Sequence, residues 1–192
     1  MPRAGVTHDR VVAEAAAVAD EVGLERLTLA TIAKRLGVTV PSLYKHVGGL
    51  VALKRDLALL GLSELSAALS SAAVGRSRTD ALHAIAAAYR DYATAHPGRA
   101  AAAVRAPAPD DAEHVAAGQA AYAVLMAVLD GYDLSDADAI DAVRGLRTVM
   151  HGFIALEAAG GFGVPASVDA TYTRLVDALD ATFTAWARQA SD

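Results

Sequence analysis

The sequence predicts an all-α protein, with a small three-helix unit at the N-terminus and a larger helical part after it, about nine helices in total. Three observations carry this. Apolar residues recur at three- and four-residue steps along most of the chain. β-branched runs are few, no Asn-Gly pair occurs, and Asp130-Gly131 stands where a helix closes and not in a hairpin. Ser, Thr and Asp stand where helices would begin, and Gly or Pro where they would end. Of the 192 residues, 54% are hydrophobic and 20% charged, which is enough apolar material for a substantial core.

The first helix is expected after Thr7, with Val11, Val12, Ala15, Val18, Ala19 and Val22 on one side and Gly23 as its stop. Two short pieces follow in LTLATIAKRLGVTVPSLYKHV, residues 27–47. Thr28 suits an N-cap for a helix through Leu36, Gly37 can take the left-handed conformation that ends it, and Thr39 can cap the next helix with Pro41 in its first turn. A long helix is predicted over Leu50–Ala73, closed by VGRSRT. Thr79 would cap the next, which ends at His96-Pro97-Gly98. After AAAAV and the breaker APAPDD, Asp110 and Asp111 open a helix to Leu129. Ser135 opens one to about Ala159, and Ser167 the last, to about Gln189.

Helices of about eight residues are marginal alone. Two in succession, joined by a glycine, make sense when both lean on a third helix and one must keep a solvated face. Ile32, Ala33, Leu36, Val38 and Leu43 can form the shared contact. This is the helix-turn-helix arrangement, whose second helix enters the DNA major groove. On its open face the sequence places Thr39, Val40, Ser42, Lys45 and His46. Ser42 suits a base edge or a phosphate, Val40 or Pro41 a thymine methyl, and Tyr44, Lys45 and His46 phosphates.

Charge supports that reading. The net charge is −5, yet residues 1–55 hold eight basic residues (Arg3, Arg10, Arg26, Lys34, Arg35, Lys45, Lys54, Arg55) against five acidic ones (Asp9, Glu14, Asp20, Glu21, Glu25). All three lysines lie there. A basic head on an acidic body fits a head that meets phosphate.

Residues from about Thr7 to Leu60, above all LGV-x-x-P-S-LY-x-HV, resemble the DNA-binding domain of the tetracycline-repressor (TetR-like) family of bacterial transcription regulators. The resemblance implies a helix-turn-helix domain over residues 1–49 (the motif at about 28–47), with Thr28, Thr39, Val40, Pro41, Ser42, Tyr44, Lys45, His46 and Lys54 at double-stranded operator DNA. It implies a ligand-binding and dimerisation domain over residues 50–192. The family usually carries a lysine in the turn before the fourth helix. Gly48-Gly49-Leu50 stands there instead, and Lys54 and Arg55 one turn on are the expected substitutes.

In the second part, MHGFIALEAAGGFGVP (residues 150–165) resembles the tryptophan-histidine-glycine signature of one subgroup, with Met150 in place of the tryptophan. A pocket for a small apolar ligand is expected among Tyr89, Tyr92, Tyr122, Met126, Met150, His151 and Phe153. On the last helix Tyr172, Leu175, Val176, Leu179, Phe183 and Trp186 form one apolar stripe, while the helix before it is apolar on more than one side. That pattern predicts a homodimer joined by four helices, with Tyr172, Leu175, Leu179, Phe183 and Trp186 at the interface. Two-fold symmetry would also set two recognition helices about one DNA turn, roughly 34 Å, apart.

Other chemistry finds no footing. Cysteine is absent, which excludes thiol catalysis and cysteine-ligated metals. The six histidines fall at no metal-ligand spacing, and Asp136, Asp138 and Asp141 lack the glycine and closing glutamate of a calcium loop. The expectation is a protein that is not an enzyme and needs no cofactor. No apolar run approaches the roughly 18 residues of a membrane span, and MPRAGVTHDR turns polar too early for a signal peptide. A cytoplasmic protein without a membrane partner is expected. The reading is a ligand-responsive repressor. Its rivals are a helical protein-interaction module with a degenerate helix-turn-helix, or a small-molecule-binding protein that ignores DNA; neither would show steeply salt-dependent DNA affinity.

Overall fold

The computed structural model describes residues 6–189. Among these it contains nine α-helices: α1 (His8–Val22), α2 (Leu29–Leu36), α3 (Val40–Leu43), α4 (Leu50–Ala73), α5 (Arg78–Ala95), α6 (Pro97–Ala103), α7 (Ala112–Leu129), α8 (Asp136–Ala158) and α9 (Val168–Gln189). Short 3-10 turns lie at Leu24–Arg26 and Asp130–Tyr132, and no strand occurs among the described residues. The helices divide into two compact units. One takes the described residues up to Glu64 together with Ala95–Gly118; the other takes Leu65–Thr94 and the described residues from Gln119 onward.

Most predicted caps form. The side chains of Thr7, Thr28, Ser135 and Ser167 accept hydrogen bonds from the backbone N–H groups of Arg10, Thr31, Asp138 and Ala170. Two caps do not. The Thr39 hydroxyl makes no capping bond and instead meets the Ser42 hydroxyl at 3.0 Å. α5 already begins at Arg78, and the Thr79 hydroxyl donates to Asp180 Oδ1 at 2.9 Å. In both cases a side-chain partner displaced the backbone amide.

The first unit centres on Val11, Ala15, Val18, Leu24, Leu27, Ile32, Leu43, Val47, Leu53 and Leu57. Its least expected member is α6, the AAAAV stretch that carries no periodic signal. α6 lies against α1. Asp20 Oδ1 accepts from the backbone N–H groups of Gly98 and Arg99 at 2.9 and 3.0 Å, so an acidic side chain of α1 caps α6 from outside. Arg99 then bridges Asp20 Oδ2 and Glu64, each at 2.9 Å.

A second ionic cluster joins α4 to the start of α7. Arg55 makes two bonds to Asp111, at 2.6 and 2.7 Å, and a third to Glu113 at 2.7 Å. The Arg55 guanidinium, then the His114 backbone N–H, hold the Asp111 carboxyl down at about 2. A carboxyl depressed in the folded state stabilises it above the unfolded value near 4, and that contribution disappears as pH falls through about 2. Asp111→Asn is therefore expected to unfold at lower urea than the wild type from pH 7 down to about 4. The gap should close towards pH 2. A gap that stays constant over that range would show that the pair adds no stability.

In the second unit α8 lies against α9. Leu82, Ile85, Leu146, Val143, Met150, Val176 and Phe183 are buried. Tyr132 meets Phe183 edge-on, with centroids 5.7 Å apart, and its hydroxyl donates to Asp180. The segment Ala112–Tyr132 corrects one expectation. Glu113, Gln119 and Asp130 interrupt it, yet its mean hydropathy of 1.3 over 18 residues is apolar enough for a membrane span by length and composition. Only 22% of that window is buried. Counting uninterrupted apolar runs misses a segment whose apolarity lies in its average.

Candidate nucleic-acid interface

The helix-turn-helix is built as the sequence suggests, with a shorter second helix. Gly37 closes α2 at φ +69°, in the left-handed region, and the N–H of Val38 returns to the Ala33 carbonyl at 3.0 Å. Ile32, Ala33 and Leu43 are buried at the crossing. α3 itself covers only Val40–Leu43 with Pro41 in its first turn, and hydrogen bonds from His46 and Val47 back to the Leu43 carbonyl continue it as a turn.

The candidate residues separate on this frame. Thr39, Pro41, Tyr44 and Lys45 are exposed, Tyr44 at 60%. Ser42 and His46 are half-buried at its edge, and Thr28 is exposed but occupied in capping α2. Val40 departs from expectation: it is half-buried against the unit's own core, because the short helix turns that side inward.

The cations separate too. Arg35 is held by Glu14 and Glu21, Lys54 reaches Glu25 Oε2 at 3.1 Å, and Arg55 is held by Asp111 and Glu113. The expected substitutes for the missing turn lysine are thus engaged within the unit, Arg55 by two acids. Lys34 and Lys45 are exposed with no ion-pair partner among the described residues. Lys45, with the exposed ring of Tyr44 beside it, is the cation that follows directly on α3.

Of the ligand candidates, Tyr89 and His151 are brought together. Met150 is fully buried and Tyr89 and Tyr92 nearly so, while Tyr122 and Met126 are half-buried. Phe153 sits between Phe162 and Tyr172, with centroids 4.7 and 4.8 Å away, and the Arg90 guanidinium lies over its ring. His151 is exposed, against the expectation of an apolar setting, and its Nδ1 lies 3.4 Å from the Tyr89 hydroxyl. None of the seven lines an open cavity of about 490 Å³ in this unit, bounded by Ser70, Ala73, Val74, Arg76, Ser77, Ala123, Val124, Ala127, Val128 and Gly131. VGRSRT was readable only as a breaker, although two arginines and a serine within six residues were a signal.

Of the dimer candidates, Tyr172 and Phe183 turn inward. The Tyr172 hydroxyl donates to the Ala86 carbonyl at 2.8 Å, and Phe183 is 1% exposed. Leu175 is exposed, and Leu179 and Trp186 are half-buried.

Comparison with known proteins agrees with this architecture. Residues 11–48 match the family model for bacterial regulatory proteins of the tetR family, and residues 82–179 match the tetracyclin repressor-like C-terminal domain. The uncharacterized HTH-type transcriptional regulator Rv0681 of Mycobacterium tuberculosis is 36% identical over 90% of this chain and 79% of its own. The uncharacterized HTH-type transcriptional regulator YobS of Bacillus subtilis is 34% identical over 84% of each. Among solved structures, TetR-Q116A from Acinetobacter baumannii in complex with minocycline shares the fold, with a TM-score of 0.70 and 23% identity over 93% of this chain and 97% of that one. The capped helix-turn-helix and both matched domains make this chain a member of the tetR family of bacterial regulatory proteins, a DNA-binding transcription regulator.

Proposed function

We propose that this regulator is a homodimeric repressor that a small molecule releases from its operator, with residues 1–49 carrying DNA recognition and residues 50–192 the ligand and dimer functions. The observation that carries the DNA side is the exposed Tyr44-Lys45 pair directly after α3, in a unit whose other cations near the motif are largely held by acids. In this reading Tyr44, Lys45 and His46 position the head on phosphates, Thr39, Pro41 and Ser42 face base edges, and the core side of Val40 removes it from readout. Release requires the ligand to prefer the state whose two heads no longer fit the operator. Such a protein works in the cytoplasm, where the operator is. Binding to a fluorescent duplex from just upstream of its own gene, at two salt concentrations, tests the reading. Salt-sensitive binding that outcompetes random DNA is expected; binding equal to random DNA at both salts would sink operator recognition there.

The dimer is supported by the outer faces of α8 and α9. Gly145 and Gly152 stand two turns apart on α8 with empty space where a Cβ would project, alternating with half-buried Val149 and 55%-exposed Leu156. Leu175, Ala178 and Trp186 recur at helical spacing on α9. Glycines alternating with Val149 and Leu156 suit close helix packing from a second copy. Leu175→Asp is expected to give monomers by light scattering with an unchanged circular dichroism spectrum. A monomeric wild type would end the claim.

A further inference from the structure

The cavity between the end of α4 and α7 carries a chemical instruction that the family leaves open. Its walls are Ala73, Val74, Ala123, Val124, Ala127 and Val128, and no acidic residue lines it. Val74 is 74% exposed, and the α7 wall belongs to the apolar segment of which only 22% is buried. Apolar surface left open on this scale favours an apolar occupant. Its polar lining is Ser70, Ser77 and Arg76. One Arg76 nitrogen donates to the Ala72 carbonyl at 2.8 Å, which fixes the side chain, and the guanidinium has no carboxylate partner among the described residues. A guanidinium without a carboxylate partner and two hydroxyls in the lining of an otherwise apolar trough are matched by a carboxylate carried on a hydrocarbon body. About 490 Å³ lies within the ordinary range for a small-molecule site.

We propose that this cavity binds a medium-chain monocarboxylate, with Arg76, Ser70 and Ser77 on the headgroup and the alkyl chain along Ala123, Val124 and Ala127. This rests on the ligand-responsive reading above and gives its ligand a class. Recognition is by charge at one end and chain length along the other. Affinity should therefore rise about fourfold for each added methylene until the trough is full, and the uncharged alcohol of equal length should bind at least about tenfold more weakly.

Calorimetric titration of the intact protein with hexanoate, octanoate and decanoate below their micelle concentrations, beside octanol and octyltrimethylammonium, tests this. Arg76→Gln should weaken octanoate about tenfold and leave octanol unchanged. Ala127→Trp, at an exposed position, should abolish both by filling the trough. Octanol binding as tightly as octanoate, or Arg76→Gln binding like the wild type, would overturn the proposal. So would Ala127→Trp changing the oligomeric mass, since a second copy would then occupy the trough. The DNA duplex assay without carboxylate separates the two readings. Intact operator binding with no octanoate binding removes this site alone. Octanoate binding that leaves operator affinity unchanged keeps the site and removes the release mechanism.

Discussion

Gly98→Ala is expected to lower the melting temperature by about 6–12 °C, the equivalent of about 3 kcal/mol in a chain of this size. The cause is local. A Cβ built on Gly98 would fall inside contact distance of the Ala19 carbonyl carbon, its oxygen and the Ala19 Cβ, which are backbone and near-backbone atoms of α1 that cannot rotate away. α6 would have to lift from α1, stretching the bonds by which Asp20 caps Gly98 and Arg99. Overpacking at a helix crossing costs about 1–3 kcal/mol before those weakened bonds are counted. Gly118→Ala is the matched control. It sits inside α7 with no atom within 4 Å of the added methyl, so it should stabilise by about 0.5–1 kcal/mol through helix propensity. Thermal unfolding followed by circular dichroism measures both. Equal melting of Gly98→Ala and the wild type would mean that the crossing relaxes freely and that α6 is no structural support of the recognition unit.

The second large effect falls on DNA. Lys45→Ala should weaken binding to every duplex by a similar factor, about tenfold per head and up to about a hundredfold for a dimer. The slope of log affinity against log salt should fall by about one for each phosphate that the variant no longer neutralises. Tyr44→Ala should likewise weaken every duplex alike, because an exposed phenol after the recognition helix touches backbone and not bases. Ser42→Ala should instead change which sequences are preferred, with the salt slope unaltered. Lys54→Ala should have the smallest effect of the four, because its ammonium is already paired with Glu25 at 3.1 Å. Gel shifts or fluorescence anisotropy at three salt concentrations read all of these. Wild-type binding by the first three variants together would take α3 off the DNA.

Much of this protein was legible in order along the chain. Helix starts and stops at Thr7, Gly23, Thr28, Gly37, Ser135 and Ser167 are local chemistry, decided by which side chain can reach an amide three residues on or which residue tolerates a positive φ. The helix-turn-helix followed from the same local signals. Where sequence reasoning slipped, a partner distant in sequence decided the outcome. Thr79 left its cap for Asp180, α6 formed on an external acid, and Arg55 went to Asp111 and Glu113 and not towards the turn lysine's place. Periodicity marked Tyr172 and Phe183 as one stripe with Leu175 and Trp186. It could not say which edge of that stripe turns inward, since inward is set by Ala86 and Tyr132 on other elements.

The amino-acid sequence by itself thus determined most of the helices and their ends, and the family, because capping, propensity and the recognition motif act within a few residues. Only the tertiary structure decided which cations stay uncompensated, which apolar face stays open and which glycine lies against a neighbouring backbone. Charge pairing, burial and steric contact are properties of residues brought together from far apart in the chain, as Arg55 is with Asp111 and Gly98 with Ala19.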